Sequence, residues 1–167
     1  EDLVFLGHSG SPILLVVGKT ASGTIDFKMA EALESFDYIV RLLAWTADDS
    51  GVVHILTLTE GGVVRDYSGW PLAEQRSFSV TGDATGAAVG DMDNDGVDEL
   101  LVVASNGLHA YSMDDGSPKW SYPVNFVRDI ALAQLDADPA LEIVLAGVTP
   151  GLVLDGATRA TDWEHID

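Results

Sequence analysis

Between Asp91 and Glu99 the chain reads DMDNDGVDE, five carboxylates and an amide in nine residues, and then runs into the aliphatic stretch LLVVA. Carboxylates held this close repel one another, so the spacing must serve something. With Asp91 as position 1, acids stand at positions 1, 3, 5 and 9 (Asp91, Asp93, Asp95 and Glu99), with Gly96 at 6 and Val97 at 7. Alternate residues of a tight loop can converge on one centre, and Ca2+ takes hard oxygen ligands from flexible loops of this kind. Gly96 permits a sharp turn, and the carbonyl of Val97 offers a neutral oxygen. Around a divalent cation, four negative side chains attract instead of repelling. An EF-hand begins the same way but needs a bidentate Glu at position 12. Here position 12 is Val102, inside an aliphatic run, and no flanking helices are evident. The spacing therefore reads as a strand–loop–strand calcium site closed by Glu99, not as a proton relay.

The elements that must position this loop recur along the chain. Helical composition is confined to KMAEALESF, residues 28–36; elsewhere short apolar runs alternate with Gly, Asp and Asn turns, the pattern of strands. Asn106-Gly107 between two apolar runs predicts a type I′ hairpin, and Asp114–Ser117 a further turn. Residues 87–120 align with 130–163: Glu99-Leu100 falls on Glu142-Ile143 and Trp120 on Trp163. Upstream, Gly51 falls under Gly96 and Ile55 under Leu100, and the spacing from Gly23 to Phe36 repeats that from Gly107 to Trp120. Four units result, at a period of roughly 40–45 residues, a length typical of propeller blades. The inner runs (AAV, ELLVVA, IALA, EIVLA) are apolar on both faces, as expected of strands sandwiched between neighbouring sheets. A β-sandwich is the competing architecture, but it does not predict the in-register return of loop, glycine and aromatic.

The string VGDMDNDGVDELLV resembles the calcium loop of FG-GAP repeats, found in integrin alpha-subunit propellers and in bacterial and archaeal VCBS-type propellers. Asp91, Asp93, Asp95, Gly96, Glu99 and Leu100 match the pattern D-x-[DN]-x-D-G-x-x-[DE]-[LI] position by position. The resemblance implies calcium ligands from the side chains of Asp91, Asp93, Asp95 and Glu99 and from the carbonyl of Val97. The tails LHAYSMDDGSPKW and LVLDGATRATDW are similar to strand ends of quinoprotein-type blades. Elsewhere the pattern decays. The fourth unit keeps Asp136, Asp138 and Glu142 but has Gln134 at position 1 and Pro139 where Gly is expected. The second offers Thr46, Asp48, Ser50 and His54, and the first, HSGSP, has no carboxylate. These weaker loops read as relics held by ordinary turn hydrogen bonds.

Other chemistries find less support. His8, His54, His109 and His165 are scattered, without a paired metal-ligand spacing. GHSGS, residues 7–11, imitates a nucleophile elbow, but a strand (PILLVV) follows it rather than a helix, and Ser9, Ser11 and Ser105 lack any other catalytic setting. Glycoside cleavage needs two carboxyls at a set separation, and the one dense acid cluster is accounted for by metal. Of Trp45, Trp70, Trp120 and Trp163, the last two recur at one repeat position and read as packing residues, while Trp70 in YSGWPL is the best candidate for an exposed aromatic. The absence of cysteine excludes disulfides, thiolate zinc sites and thiol catalysis.

The balance of 27 acids against 8 bases, net −19, argues against nucleic acid or an anionic membrane as partner and favours cations. An Asp-rich, Lys-poor surface also suits a salty habitat. Runs such as ILLVVG and LLVVAS are too short to span a bilayer. No signal peptide is visible and the chain opens EDLVF, so it reads as a mature, excised or incompletely identified piece.

The expectation is an all-β chain: a β-propeller or half-propeller of about four four-stranded blades within a single domain, 1–167, with blades near 1–38, 39–80, 81–123 and 124–167. The expected role is a non-enzymatic, calcium-binding module for extracellular or cell-surface binding, adhesion or assembly. A protein or glycan partner is expected, or self-association that completes a ring. Rival readings are a propeller domain of a polysaccharide-acting enzyme or lectin, and a subunit of a surface filament or layer.

Overall fold

The computed structural model describes residues 3–8, 12–19, 25–32, 39–46, 52–69, 73–147 and 151–164, the first three segments through their backbone alone. Among these residues every regular element is a strand, and all pairing is antiparallel between chain neighbours. β1 (Leu3–His8), β2 (Pro12–Lys19) and β3 (Ile25–Ala32) form a three-stranded sheet. The second sheet holds β4 (Ile39–Thr46), β5 (Val53–Thr59), β6 (Val63–Ser68) and β7 (Ala73–Ser79). The third holds β8 (Ala84–Gly90), β9 (Glu99–Ala104), β10 (Gly107–Ser112) and β11 (Pro118–Tyr122). The fourth holds β12 (Val127–Ala133), β13 (Glu142–Gly147), β14 (Leu152–Leu154) and β15 (Thr161–Glu164).

The second, third and fourth sheets stack face to face, and β9 shows why its sequence is apolar from Leu100 to Ala104. All six of its residues are buried. Leu100 and Val102 point to one side, into a core with Leu56, Leu58 and Val64 of the second sheet. Leu101 and Val103 point to the other, into a core with Ile130, Ile143, Leu145 and Leu154 of the fourth. A strand with period-two side chains and a neighbour on each face must be apolar throughout. Each such Leu or Val contributes about 1.5–3 kcal/mol by leaving water.

The first strands of these sheets pair on one side only, and β8 lies against both β4 and β12. Gly86 sits at this approach, where a Cβ would be in ordinary van der Waals contact, 3.4 Å from the Cα of Asp129. Past it, Arg41 on β4 reaches Asp129 on β12 at 2.6 Å.

Two expectations need correction, and a third falls partly outside the described residues. Lys28–Ala32, read as helical in composition, lies in β3, where pairing with β2 overrides a short run of helix-favouring residues. The first sheet has three strands among the described residues, not four; residues 33–38, where the last was expected, lie outside them. The β9–β10 hairpin turns at Ser105 and Asn106, with Gly107 already paired to Ala104. Gly107 (φ 135°) serves close packing instead, since a Cβ there would sit 2.7 Å from the carbonyl oxygen of Tyr122.

Trp120 and Trp163 occupy the same register position but not the same environment. Trp120 packs between the third and fourth sheets. Trp163 pairs with Val153 on the face of the fourth sheet turned away from the third, and is 53% exposed. Trp70 lies outside the described residues.

One irregularity recurs in all three four-stranded sheets. Where the third strand meets the fourth, the register slips by one residue. The extra residue on the fourth strand is Gln75 in β7, Lys119 in β11 and Asp162 in β15. Bulges of this kind re-aim a side chain.

Candidate metal centre

The acidic loop joins β8 to β9. Asp91 folds its carboxylate back over the turn, accepting the N–H of Asp95 at 3.0 Å and of Gly96 at 2.9 Å. Asn94 (φ 57°) and Gly96 (φ 88°) supply the left-handed backbone that this tight path requires. At the far end Glu99 is fully buried, and its Oε2 accepts the N–H of Met92 at 3.1 Å. One carboxylate oxygen each from Asp91, Asp93 and Glu99 lies within 4.8 Å of the others, a grouping suited to a metal ion. The donor set is all hard oxygen, as Ca2+ prefers, and Asp93 Oδ1 is buried without a hydrogen-bond partner.

Of the remaining predicted ligands, Asp95 stands outside this triad, exposed, with Oδ1 accepting the Val97 N–H at 2.8 Å. Asp98, the fifth acid of the run, accepts the indole N–H of Trp45 at 2.5 Å and so ties the loop to the second sheet.

The cage also contains a cation that sequence reasoning missed. Lys119, the bulge residue of β11, places Nζ 2.5 Å from Glu99 Oε1, 2.9 Å from Asp95 Oδ2 and 4.0 Å from Asp93 Oδ2. Arg159 approaches Asp93 at 3.2 Å from the fourth sheet, its guanidinium 5.3 Å over the Trp120 ring. Burial works against the Lys119 charge, but hydrogen bonds to Glu99 and Asp95 outweigh it and hold the ammonium well above its usual range. Burial pushes Glu99 up, against the pull of Lys119 and the Met92 N–H. The signal available in the sequence was the pairing of Lys119 with Asp162, one residue before each repeated Trp.

The loop between β12 and β13 rebuilds the same corner with different chemistry. Glu142 is buried like Glu99, and its Oε2 accepts the Leu135 N–H as Glu99 accepts that of Met92. Asp136, Asp138 and Glu142 bring one oxygen each within 4.8 Å, although the sequence suggested a relic. Gln134 takes the place of Asp91 and spends its amide on the loop, donating to the carbonyls of Asp138 at 2.5 Å and Ala140 at 2.9 Å. Among the described residues no Lys or Arg pairs with this triad, and Glu142 Oε1 is buried without a partner. Asp162, at the bulge, has its carboxyl raised, by desolvation first and then by Asp155, Asp136, Glu142 and Asp138.

In the second sheet an ion network replaces the acids. His54 falls where Glu99 and Glu142 stand. Buried Asp66 pairs with His54 at 2.8 Å and with Arg76 at 3.1 Å, and Arg76 lies 5.5 Å over the Trp45 ring. These side chains, with Val97 and Asp98, line a cleft between the second and third sheets. Asp48 and Ser50 lie outside the described residues, as does most of the HSGSP loop.

No protein-family model matches this sequence, and no curated protein is significantly similar to it. Solved structures do share its architecture. The chain aligns over 99% of its length with BBS1N, crystallised in complex with ARL6DN and soaked with mercury, at a TM-score of 0.66 and 11% identity, covering 53% of that chain. A lead-soaked crystal of the same complex gives a TM-score of 0.65 at 11% identity, over 99% of this chain and 54% of that one. The chain thus spans about half the length of the BBS1N structures. The glutaminyl cyclase of Myxococcus xanthus follows at a TM-score of 0.49 and 16% identity, over 93% of this chain and 62% of that one. At such identities the likeness to BBS1N speaks for the fold alone, which is propeller-like.

Proposed function

We propose that this chain is a non-enzymatic, propeller-type binding module whose strand corners are tied by Ca2+. The observation that carries the reading is the convergence of Asp91, Asp93 and Glu99, with Glu99 buried at the start of a core strand. Glu99 is already paired with Lys119, but Asp93 Oδ1 beside it is buried without a hydrogen-bond partner, and a carboxylate oxygen in that state calls for a cation. Asp95 and the carbonyl of Val97 complete the ligand set as the ion draws the loop inward and Lys119 swings out; its side chain is already 24% exposed. The ion's contribution is folding free energy rather than reaction chemistry. Extracellular calcium fills even weak sites, which favours a surface or extracellular location.

The partner we propose is a protein. BBS1N, a propeller-like neighbour, is seen in complex with ARL6DN, which supports this reading. The enzyme reading is disfavoured by the cleft between the second and third sheets. Its buried acid, Asp66, is committed to His54 and Arg76, and Asp98 is committed to Trp45. Thermal melting with millimolar calcium and with chelator, alongside solution mass, tests the proposal. Calcium should raise the midpoint by several degrees, as expected when ligand is far above its Kd. A melt that ignores chelator sinks it.

A further inference from the structure

We infer that the bulge residue of the fourth strand decides which acidic loop takes a divalent cation first: Asp162 completes a site with Asp136, Asp138 and Glu142, and this site fills before the 91–99 loop, whose cage holds Lys119. The inference rests on reading these loops as calcium ties and adds an order of occupancy and a ligand from outside the loop.

Lys119 and Asp162 are structurally equivalent. Each is the extra residue in a one-residue register slip, between partners Ala110–Trp120 and Tyr111–Pro118 in one sheet, and Val153–Trp163 and Leu154–Thr161 in the other. The bulge on β11 delivers its side chain to the acidic loop of its own sheet, as the contacts of Lys119 with Glu99 and Asp95 demonstrate. The same bulge on β15 puts Asp162 at the corresponding position, near enough to feel the charges of Asp155, Asp136, Glu142 and Asp138.

The two corners therefore carry similar acids, but only one of them has counter-charges among the described residues. Asp91, Asp93, Asp95 and Glu99 face Lys119 and Arg159, two tethered cations. Asp136, Asp138, Glu142 and Asp162 face none among the described residues. Glu99 has both oxygens engaged, one by Lys119 and one by the Met92 N–H. Glu142 has one engaged by Leu135, and its other, Oε1, is buried without a partner. A buried carboxylate oxygen in that state calls for a donor or a cation. An incoming ion must displace an ammonium from the third sheet's loop and nothing comparable from the fourth's. Asp162 also replaces the carboxylate lost where Gln134 stands at position 1, so the charge that sets calcium affinity is restored.

Calcium titration calorimetry on the intact chain tests this, with circular dichroism as a check of fold. The wild type should show one tight event. Asp162→Asn should weaken it about tenfold or more, as loss of one close charge predicts, and Glu142→Gln, which keeps an acceptor for Leu135, should remove it. Lys119→Gln should tighten a second event by a similar factor, and Glu99→Gln should remove that one. The exchange Lys119→Asp with Asp162→Lys should move the tight event to the third sheet, where it survives Glu142→Gln. Calcium binding that persists with both affinities unchanged by Asp162→Asn and Lys119→Gln overturns the inference and leaves the calcium-tied loops standing. No calcium heat in any folded variant overturns both.

Discussion

The backbone N–H of Leu141 donates to the carbonyl oxygen of Met92 at 2.8 Å. The bond joins the two acidic loops. Met92 gives its own N–H to Glu99, and Leu141 directly precedes Glu142. Beneath them runs Gly156, where a Cβ would collide with the carbonyl oxygens of both Met92 and Leu141. Gly156→Ala should thus destabilise by about 1–3 kcal/mol, the usual cost of forcing atoms into packed space, and should weaken calcium binding at both loops together. Urea unfolding with parallel calcium titration checks the pairing of effects; a loss confined to one loop contradicts the coupling.

The Asp66 network makes a second prediction. Asp66 is 1% exposed and shares its charge between His54 and Arg76. Arg76→Ala leaves a buried carboxylate with a histidine alone, and uncovers the Trp45 ring. We expect a loss of about 3 kcal/mol, the low end for breaking a buried pair. The double variant Asp66→Leu with Arg76→Met should recover part of it, since an apolar replacement removes the uncompensated charge. Chemical denaturation of the three proteins at neutral pH measures both steps.

Core strand β9 gives a third. Leu101 is fully buried between the third and fourth sheets. Leu101→Ala should cost about 2–5 kcal/mol through lost burial and the cavity left behind. The same comparison at Leu132, partly buried on the rim of that core, should give a smaller loss.

Acid should loosen the turn after β14. Hydrogen bonds from the hydroxyl and N–H of Thr158, then the Ala157 N–H and the charge of Arg159, hold the Asp155 carboxyl below its usual range. A carboxylate depressed in the folded state stabilises above its unfolded pKa, and that contribution fades as pH falls through the lower, folded value. Stability should therefore fall below about pH 4, the ordinary carboxylate range, and Asp155→Ala should flatten that part of the curve. An identical acid limb in the variant rules the mechanism out.

Much of this architecture was legible in the chain. The return of loop, glycine and aromatic at a fixed period gave the sheets, and ELLVVA gave a strand buried on both faces, because side-chain alternation is a local property. Asp91, Asp93 and Glu99 bring one oxygen each together, while Asp95, expected with them, stands outside the group. Lys119 was hidden because its role depends on a one-residue slip between β10 and β11, and pairing register is written in no single segment. In the Gln134 loop the residues that come together, Asp136, Asp138 and Glu142, are those that keep positions 3, 5 and 9 of the pattern. Trp163 matched Trp120 in position yet not in burial, since burial belongs to whatever lies across the sheet face.

Trp120 is covered and Trp163 is exposed because the sheets stack in one direction. The second sheet offers the third the side that holds Leu56 and Leu58; the third receives it on Leu100 and Val102 and offers Leu101 and Val103 onward. Donor side and acceptor side are distinct surfaces, so the stack has a direction, and both of its described contacts are head-to-tail. On the fourth sheet the donor side is Ala131, Val144, Val153 and Trp163, held in one register row. Head-to-tail contacts repeated at a constant rotation either return on themselves as a ring or advance as a screw. For this chain the choice is fixed by the rotation from one sheet to the next, not by the chemistry of the Trp163 surface.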